Sequence, residues 1–270
     1  MTLLVAWTGI DSRSPASVYI ATDSRISWGT KGDFDFANKT FALKQFPAII
    51  GYCGDSLASQ MLISQAIAVV DAISDYTGTY LENLVDLFVR VIARNYTNYP
   101  MNLSTGSFTV VVCGKATLKS AGDFECYRID STFKATKKSK LSLPEQSGPI
   151  LVAGSGKSDF EELYSTHQAS DNPNKSTSRD VFHAFYKSIT AGKNPTVGPI
   201  PQIVSVYRKP NTGGSHCGVL ARGHRFISGQ LIDMDVVPQG MQWFNDNFEL
   251  TDPHTKRRED GAQIQPPFRC

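Results

Sequence analysis

Two pairs of neighbouring amphipathic helices, set into a chain that otherwise reads as strands, constrain this sequence most. The opening runs Thr-Leu-Leu-Val-Ala-Trp and Ser-Val-Tyr-Ile-Ala-Thr-Asp, within residues 2–9 and 17–25, predict two strands around a loop at 11–15. Lys39–Lys44 and Ala48–Gly54 predict a hairpin that turns at Phe46-Pro47. From Asp55 the period changes to helical. Leu57, Met61, Ile63, Ala66, Val69, Val70 and Ile73 share a face, with Asp55 or Ser56 as cap. A second stripe runs through Leu81, Leu84, Leu87, Phe88, Val91 and Ile92. Strands resume at 108–113, 124–129, 132–143 (lysine-rich, suited to an exposed edge) and 149–153. Helices follow at about 158–167 and 179–189, then strands at 202–207 and 215–221. Paired helices between runs of strands do not fit a simple βαβ sheet. They fit an α+β, four-layer αββα sandwich: two stacked, mainly antiparallel sheets with helices on both outer faces. From Thr251 the chain becomes Pro- and charge-rich. The expected organisation is therefore one domain over 1–250 and an extended or disordered arm over 251–270.

With 270 residues, 41% of them hydrophobic, the chain can bury a sizeable core. A net charge of +2 exerts no strong pull on nucleic acid or an anionic membrane, and no apolar run approaches a membrane span. The first residues lack the layout of a secretory signal. The five cysteines, Cys53, Cys113, Cys126, Cys217 and Cys270, are scattered and odd in number. That pattern predicts buried free thiols in a reducing cytoplasm. The five histidines show no metal or triad spacing, so neither metal nor cofactor is expected. Ala153-Gly-Ser-Gly-Lys-Ser158 superficially suggests a phosphate loop, but only Ser155 separates its two glycines, where a phosphate loop needs four residues.

Chemistry concentrates at the start of the chain. Thr2 follows Met1 directly. If Met1 is removed, Thr2 carries a hydroxyl and a free α-amine on one residue. The amine, with a reference pKa of about 7.7–8.0, can take the hydroxyl proton near neutral pH. If Met1 stays, the nitrogen is an amide and no base is present.

Three passages carry a family resemblance over roughly residues 2–210. They are Thr2-Leu-Leu-Val-Ala followed by Ile20-Ala-Thr-Asp-Ser-Arg25; Lys39 followed by Ile49-Ile-Gly-Tyr-Cys-Gly-Asp-Ser56; and Val152-Ala-Gly-Ser-Gly156. In this order, and with sixteen residues from Asp23 to Lys39, the chain resembles the proteasome β-type family of N-terminal nucleophile (Ntn) hydrolases, especially the bacterial members HslV and Anbu. Asn194-Pro-Thr-Val-Gly-Pro-Ile-Pro is similar to an Anbu segment.

The resemblance implies that Thr2 is the nucleophile and that Lys39 sits beside it, favouring the alkoxide and lowering the amine's pKa. Asp23 would pair with Lys39, the backbone N–H of Gly54 would face the oxyanion, and Ser155 would relay protons near the amine. The same residues also fit a surface ion pair, a turn glycine and a helix cap. Two departures stand out. The loop Gly9–Ala16 stretches the spacing from Thr2 to Asp23, and no aspartate matches the family's second one; Asp180 reads as a first-turn acid.

The resemblance thus implies a cytoplasmic threonine peptidase acting on peptides or unfolded chains. It would work inside a homo-oligomeric ring or stacked rings, with no nucleic-acid or membrane partner and with any unfoldase unidentified. Residues near 26–38 would form a pocket wall. The alternatives are an inactive scaffold subunit that keeps Met1 and an Ntn amidase on a small substrate.

Overall fold

Alternate residues of the first strand serve two different cores. In the computed structural model, which describes residues 2–73, 75–103, 106–120, 122–171, 173–209, 213–233 and 236–262, β1 (Leu3–Ile10) is buried almost throughout. Leu3, Val5 and Trp7 join one hydrophobic cluster, while Leu4 and Ala6 join another. Side chains of a strand alternate faces, so β1 must lie mid-sheet and be covered on both sides.

Its neighbours are β2 (Pro15–Asp23), which follows it, and β10 (Gly148–Gly154), far along the chain; both run antiparallel to it. Before β10 come β3 (Ile26–Ser27), β4 (Asp33–Phe34), β5 (Thr40–Ala42), β6 (Ala48–Gly54), α1 (Ser56–Asp71) and α2 (Leu81–Tyr96). Next are β7 (Ser107–Lys115), β8 (Phe124–Thr132) and β9 (Thr136–Leu141). After β10 come α3 (Lys157–Ala169), α4 (Ser178–Thr190), β11 (Pro201–Tyr207), β12 (Ser215–Ala221), β13 (His224–Ile227), β14 (Gln230–Leu231) and β15 (Trp243–Phe244). The strands form a large sheet ordered β10-β1-β2-β11-β12-β13-β14, with β15 beside β12. A five-stranded sheet runs β5-β6-β7-β8-β9, and β3-β4 is a small hairpin. Only β12–β15 is parallel among these pairs. The chain is thus a mixed α/β structure of antiparallel sheets with four α-helices among its described residues. The expected succession of strands and paired helices is present, with ends shifted by three residues or fewer except in the lysine-rich strand, which starts four residues later than expected, at Thr136.

The two sheets meet through Leu4, Ala6, Val18, Ile20, Ile49, Val111 and Val204. Gly51 lets them close up: a Cβ there would stand 2.5 Å from Ile20 Cγ2. Ile50, Tyr52, Val110, Val112, Tyr127 and Ile129 pack with the inward stripes of α1 and α2. The matching cluster of the large sheet takes Phe160 of α3 and Val181, Phe182 and Phe185 of α4. Asp55 caps α1, its carboxylate accepting the Ala58 N–H at 3.0 Å. Asp180 is more than a first-turn acid: it is buried and accepts hydrogen bonds from His167 at 3.1 Å and from Gln168.

Two expectations change. Cys113 and Cys126, opposite each other on β7 and β8, are joined as a disulfide instead of being free thiols. Cys53 and Cys217 are free and buried, and Cys270 lies outside the described residues. Residues 251–262, expected as an extended or disordered arm, fold back through a Thr251–Arg258 bridge, with Thr251 fully buried. Arg225 donates to the carbonyls of Pro253 and His254. The rest of that segment, 263–270, lies outside the described residues.

Candidate active site

The stretched loop between β1 and β2 does not disturb the spacing that matters. A register shift at Gly9/Ile10 absorbs the extra residues at the far end of the hairpin, while Leu4 pairs with Thr22 at the near end. Thr2 and Asp23 therefore arrive side by side. Asp23 Oδ1 accepts the N–H of Leu3 at 2.9 Å, and its Oδ2 accepts those of Arg25 and Gly198, each at 2.9 Å.

Lys39 enters from the segment before β5. Its Nζ donates to Thr2 Oγ1 at 2.7 Å, to Asp23 at 3.2 and 3.3 Å, and to the carbonyl of Arg25. Both Lys39 and Asp23 have no exposed surface. This excludes the surface-pair alternative, because a buried ion pair survives only with its remaining polar atoms satisfied. Burial pushes the Lys39 pKa down, and the Asp23 carboxylate opposes that shift.

Gln202 on β11 braces this pair. Its Nε2 donates to the carbonyls of Asp23 at 3.2 Å and Ala37 at 2.7 Å, and its Oε1 accepts the Lys39 N–H at 3.0 Å. Arg25 holds the neighbouring loops. Its guanidinium donates to Asp35 at 2.6 Å and to the carbonyl of Pro195 at 2.9 Å, and pairs with Asp33 at 3.5 Å.

The turn after β10 closes the other side. Thr2 N–H donates to Ser155 Oγ at 3.1 Å, and Gly156 N–H to the Thr2 carbonyl at 3.3 Å. Gly154 has φ +94°, and a Cβ there would sit 2.0 Å from the Thr2 carbonyl oxygen. Only glycine allows that approach. The Gly-Ser-Gly segment is thus a strand-to-helix turn pressed against Thr2. Gly54 ends β6 opposite Phe108 with φ +108°. The adjacent Cys53 lies against the same turn: a Cβ on Gly154 would stand 3.6 Å from the Cys53 Cβ. Burial pushes the Cys53 thiol up to about 11, keeping it neutral.

Of the five expected residues, Thr2, Asp23, Lys39 and Ser155 are linked through hydrogen bonds, while Gly54 follows Cys53, which lies against the Gly154 turn. Sequence reasoning missed Arg25, Gln202 and Thr196. Thr196 Oγ1 lies 2.8 Å from Ser155 Oγ, and Asn194 follows it at 2.7 Å. A turn-forming Asn-Pro-Thr and a polar residue inside an apolar strand were the available signals. Among the described residues no group of three or more His, Cys, Asp or Glu side chains is arranged to hold a metal, and no helix is long and apolar enough to cross a membrane.

No protein-family model and no curated protein matches the chain. Solved structures do. The Anbu complex of Pseudomonas aeruginosa, solved as a helical assembly, superposes with a TM-score of 0.56 at 17% identity, over 79% of this chain and 86% of that one. An Anbu Gly-1 mutant from Hyphomicrobium sp. strain MC1 gives 0.55 at 14% identity, over 80% and 87%. HslV from Trypanosoma brucei aligns over 77% and 99% at 13% identity, with a TM-score of 0.46 that is too low to argue from. At these identities the likeness is one of architecture: this chain has a fold similar to that of the Anbu subunits.

Proposed function

We propose that the chain is an N-terminal threonine peptidase of the four-layer αββα Ntn-hydrolase class, armed by removal of Met1. The class is supported by three hydrophobic clusters, one between the sheets and one under each helix pair. Residues 1–250 are taken as its domain. The observation that carries the activity is the placement of Thr2, with Lys39 Nζ 2.7 Å from its hydroxyl and its nitrogen 3.1 Å from Ser155 Oγ.

The reaction follows from those positions. The α-amine takes the proton of Thr2 Oγ1 as the oxygen attacks a peptide carbonyl. The buried Lys39 ammonium favours the alkoxide and the amine's neutral form, since a second positive charge nearby is costly. The Gly54 N–H stabilises the oxyanion that forms on the carbonyl oxygen. The C–N bond then breaks, and the Thr2 ammonium returns its proton to the leaving amine. Water, deprotonated by the same amine, attacks the acyl-threonine ester; the C–Oγ1 bond breaks, the ammonium returns its proton to Thr2 Oγ1, and the second product leaves as a carboxylate. Substrates are peptides or unfolded chains. The protein is taken to act as a homo-oligomer, a ring or stacked rings, drawing on the fold likeness to Anbu, one member of which forms a helical assembly.

The test has two parts. Intact mass of the purified protein should show Met1 absent, and a peptide epoxyketone or β-lactone should add covalently to Thr2. Thr2→Ala should abolish both adduct and peptide hydrolysis. Undiminished hydrolysis by Thr2→Ala would overturn the reading, and a retained Met1 in the assembled protein would favour a scaffold subunit.

A further inference from the structure

The polar groups behind Thr2 have only one consistent hydrogen-bond direction. Asn194 fixes it. Its Nδ2 donates to the Ser155 carbonyl at 2.9 Å, and its Oδ1 accepts the Thr196 N–H at 3.0 Å. Exchanging the amide's oxygen and nitrogen would set acceptor against acceptor and donor against donor, so these two bonds determine the amide's orientation. Oδ1 also takes the Thr196 hydroxyl proton at 2.7 Å. Thr196 Oγ1 has thus committed its only proton and can only accept from Ser155 Oγ, 2.8 Å away. Ser155 Oγ in turn has committed its proton and can only accept from the nitrogen of Thr2 at 3.1 Å.

From this we infer that Asn194 and Thr196 are positioning residues that keep Ser155 from donating to the α-amine, leaving the amine lone pair for the Thr2 hydroxyl. The inference deepens the peptidase reading and rests on it for its catalytic meaning. The relay is uncharged, so it directs the amine without holding a proton on it. A carboxylate in the place of Asn194 would favour the ammonium form and raise the pH at which the base becomes available. Arg25 keeps the loop in place through the Pro195 carbonyl at 2.9 Å. Among the described residues, charged or titratable groups surround the amine from several elements, and Arg128 and Asp130 of β8 act on neighbouring Cys53. Lys39 approaches from the segment before β5, Asp23 from β2 and Cys53 from β6, with Arg25, Asp33 and Asp35 behind Asp23. Lys193 lies exposed beside Asn194.

The test uses the full chain produced with Thr2 as its first residue by cleaving a removable leader. The amine pKa is read by NMR of 15N-labelled threonine, and kcat and KM are measured across pH on a fluorogenic peptide. Thr196→Val keeps shape and the Thr196 N–H bond but removes the acceptor for Ser155. The Ser155 proton then turns to the amine, so kcat should fall about tenfold to a hundredfold with KM unmoved. The amine pKa should fall, and Thr196→Ser should restore both. Asn194→Asp should raise the amine pKa by on the order of one unit and move the acid limb of the activity profile up with it. A Thr196→Val chain with parental amine pKa and kcat, or an Asn194→Asp chain whose amine pKa is unmoved, overturns the inference. If the parent chain with free Thr2 hydrolyses no peptide, the peptidase reading fails, while the NMR titration still decides whether the relay sets the amine.

Discussion

Replacing Asp23 by asparagine changes one atom in a site with no surface, so its cost can be worked from the contacts. The amide keeps one oxygen. Its better orientation retains the N–H donors of Arg25 and Gly198 and sets an NH2 group against the Leu3 N–H, which the carboxylate accepted at 2.9 Å. One orphaned buried donor costs about 1–3 kcal/mol. The same NH2 faces Lys39, whose ammonium would keep only neutral acceptors: Thr2 Oγ1, the Arg25 carbonyl and, at 3.3 Å, the retained amide oxygen. Breaking a buried pair typically costs about 3–5 kcal/mol in all, including such orphans, against a whole-protein stability of about 5–15 kcal/mol. Asp23→Asn should therefore lose about 3–5 kcal/mol at pH 7.

The loss should depend on pH in one direction. Burial already holds the folded-state pKa of Lys39 below its ordinary value, and removing Asp23 lowers it further. Between that lowered value and about pH 10.4 the unfolded chain then binds a proton that the folded chain does not. Stability of the variant should consequently rise, relative to the parent, as pH increases from the variant's Lys39 value to the parent's, which is itself depressed below about 10.4. Urea unfolding of both proteins at pH 7 and pH 10, at equal protein concentration, measures this. A loss below about 1 kcal/mol at pH 7, the range of an exposed pair, or a loss that grows with pH, would refute the reasoning.

Gly154→Ala sets a methyl 2.0 Å from the Thr2 carbonyl oxygen at φ +94°. It should displace the nucleophile and cut peptide turnover about a hundredfold, a loss much larger than its effect on thermal unfolding would explain; a fully active variant would contradict the contact. Reduction of the purified protein should raise the thiol count of the denatured chain by two, from Cys113 and Cys126. An unchanged count would show these cysteines already reduced, and loss of the bond should cost about 3 kcal/mol in urea unfolding.

The parts of the site that sequence revealed are those with local signatures. Thr2 heads an apolar strand, and Gly154-Ser155-Gly156 marks a strand-to-helix turn whichever partner it meets. Asp23 and Lys39 were visible as charges at strand ends, but that they would be buried required both sheets. Gln202, Arg25, Asn194 and Thr196 escaped because their roles come from groups scattered over residues 2–202. In isolation Gln202 is simply a polar residue in strand β11, facing Thr22 across the pairing. The Cys113–Cys126 link depended on the register of β7 against β8, which the spacing of cysteines does not encode. The fold back at 251–262 is held by single contacts such as the buried Thr251, and such contacts leave no period to read.

The burial of β1 between β2 and β10 has a further consequence for how the protein ages. Chain ends are normally the first places to fray and be trimmed. Here Leu3 already pairs with Gly154, and its side chain has no exposed surface. To trim beyond Thr2, an aminopeptidase would have to pull an interior strand out of the large sheet. The sheet thus acts as a stop for exoproteolysis, and the residue at which trimming halts is the one whose nitrogen faces Ser155.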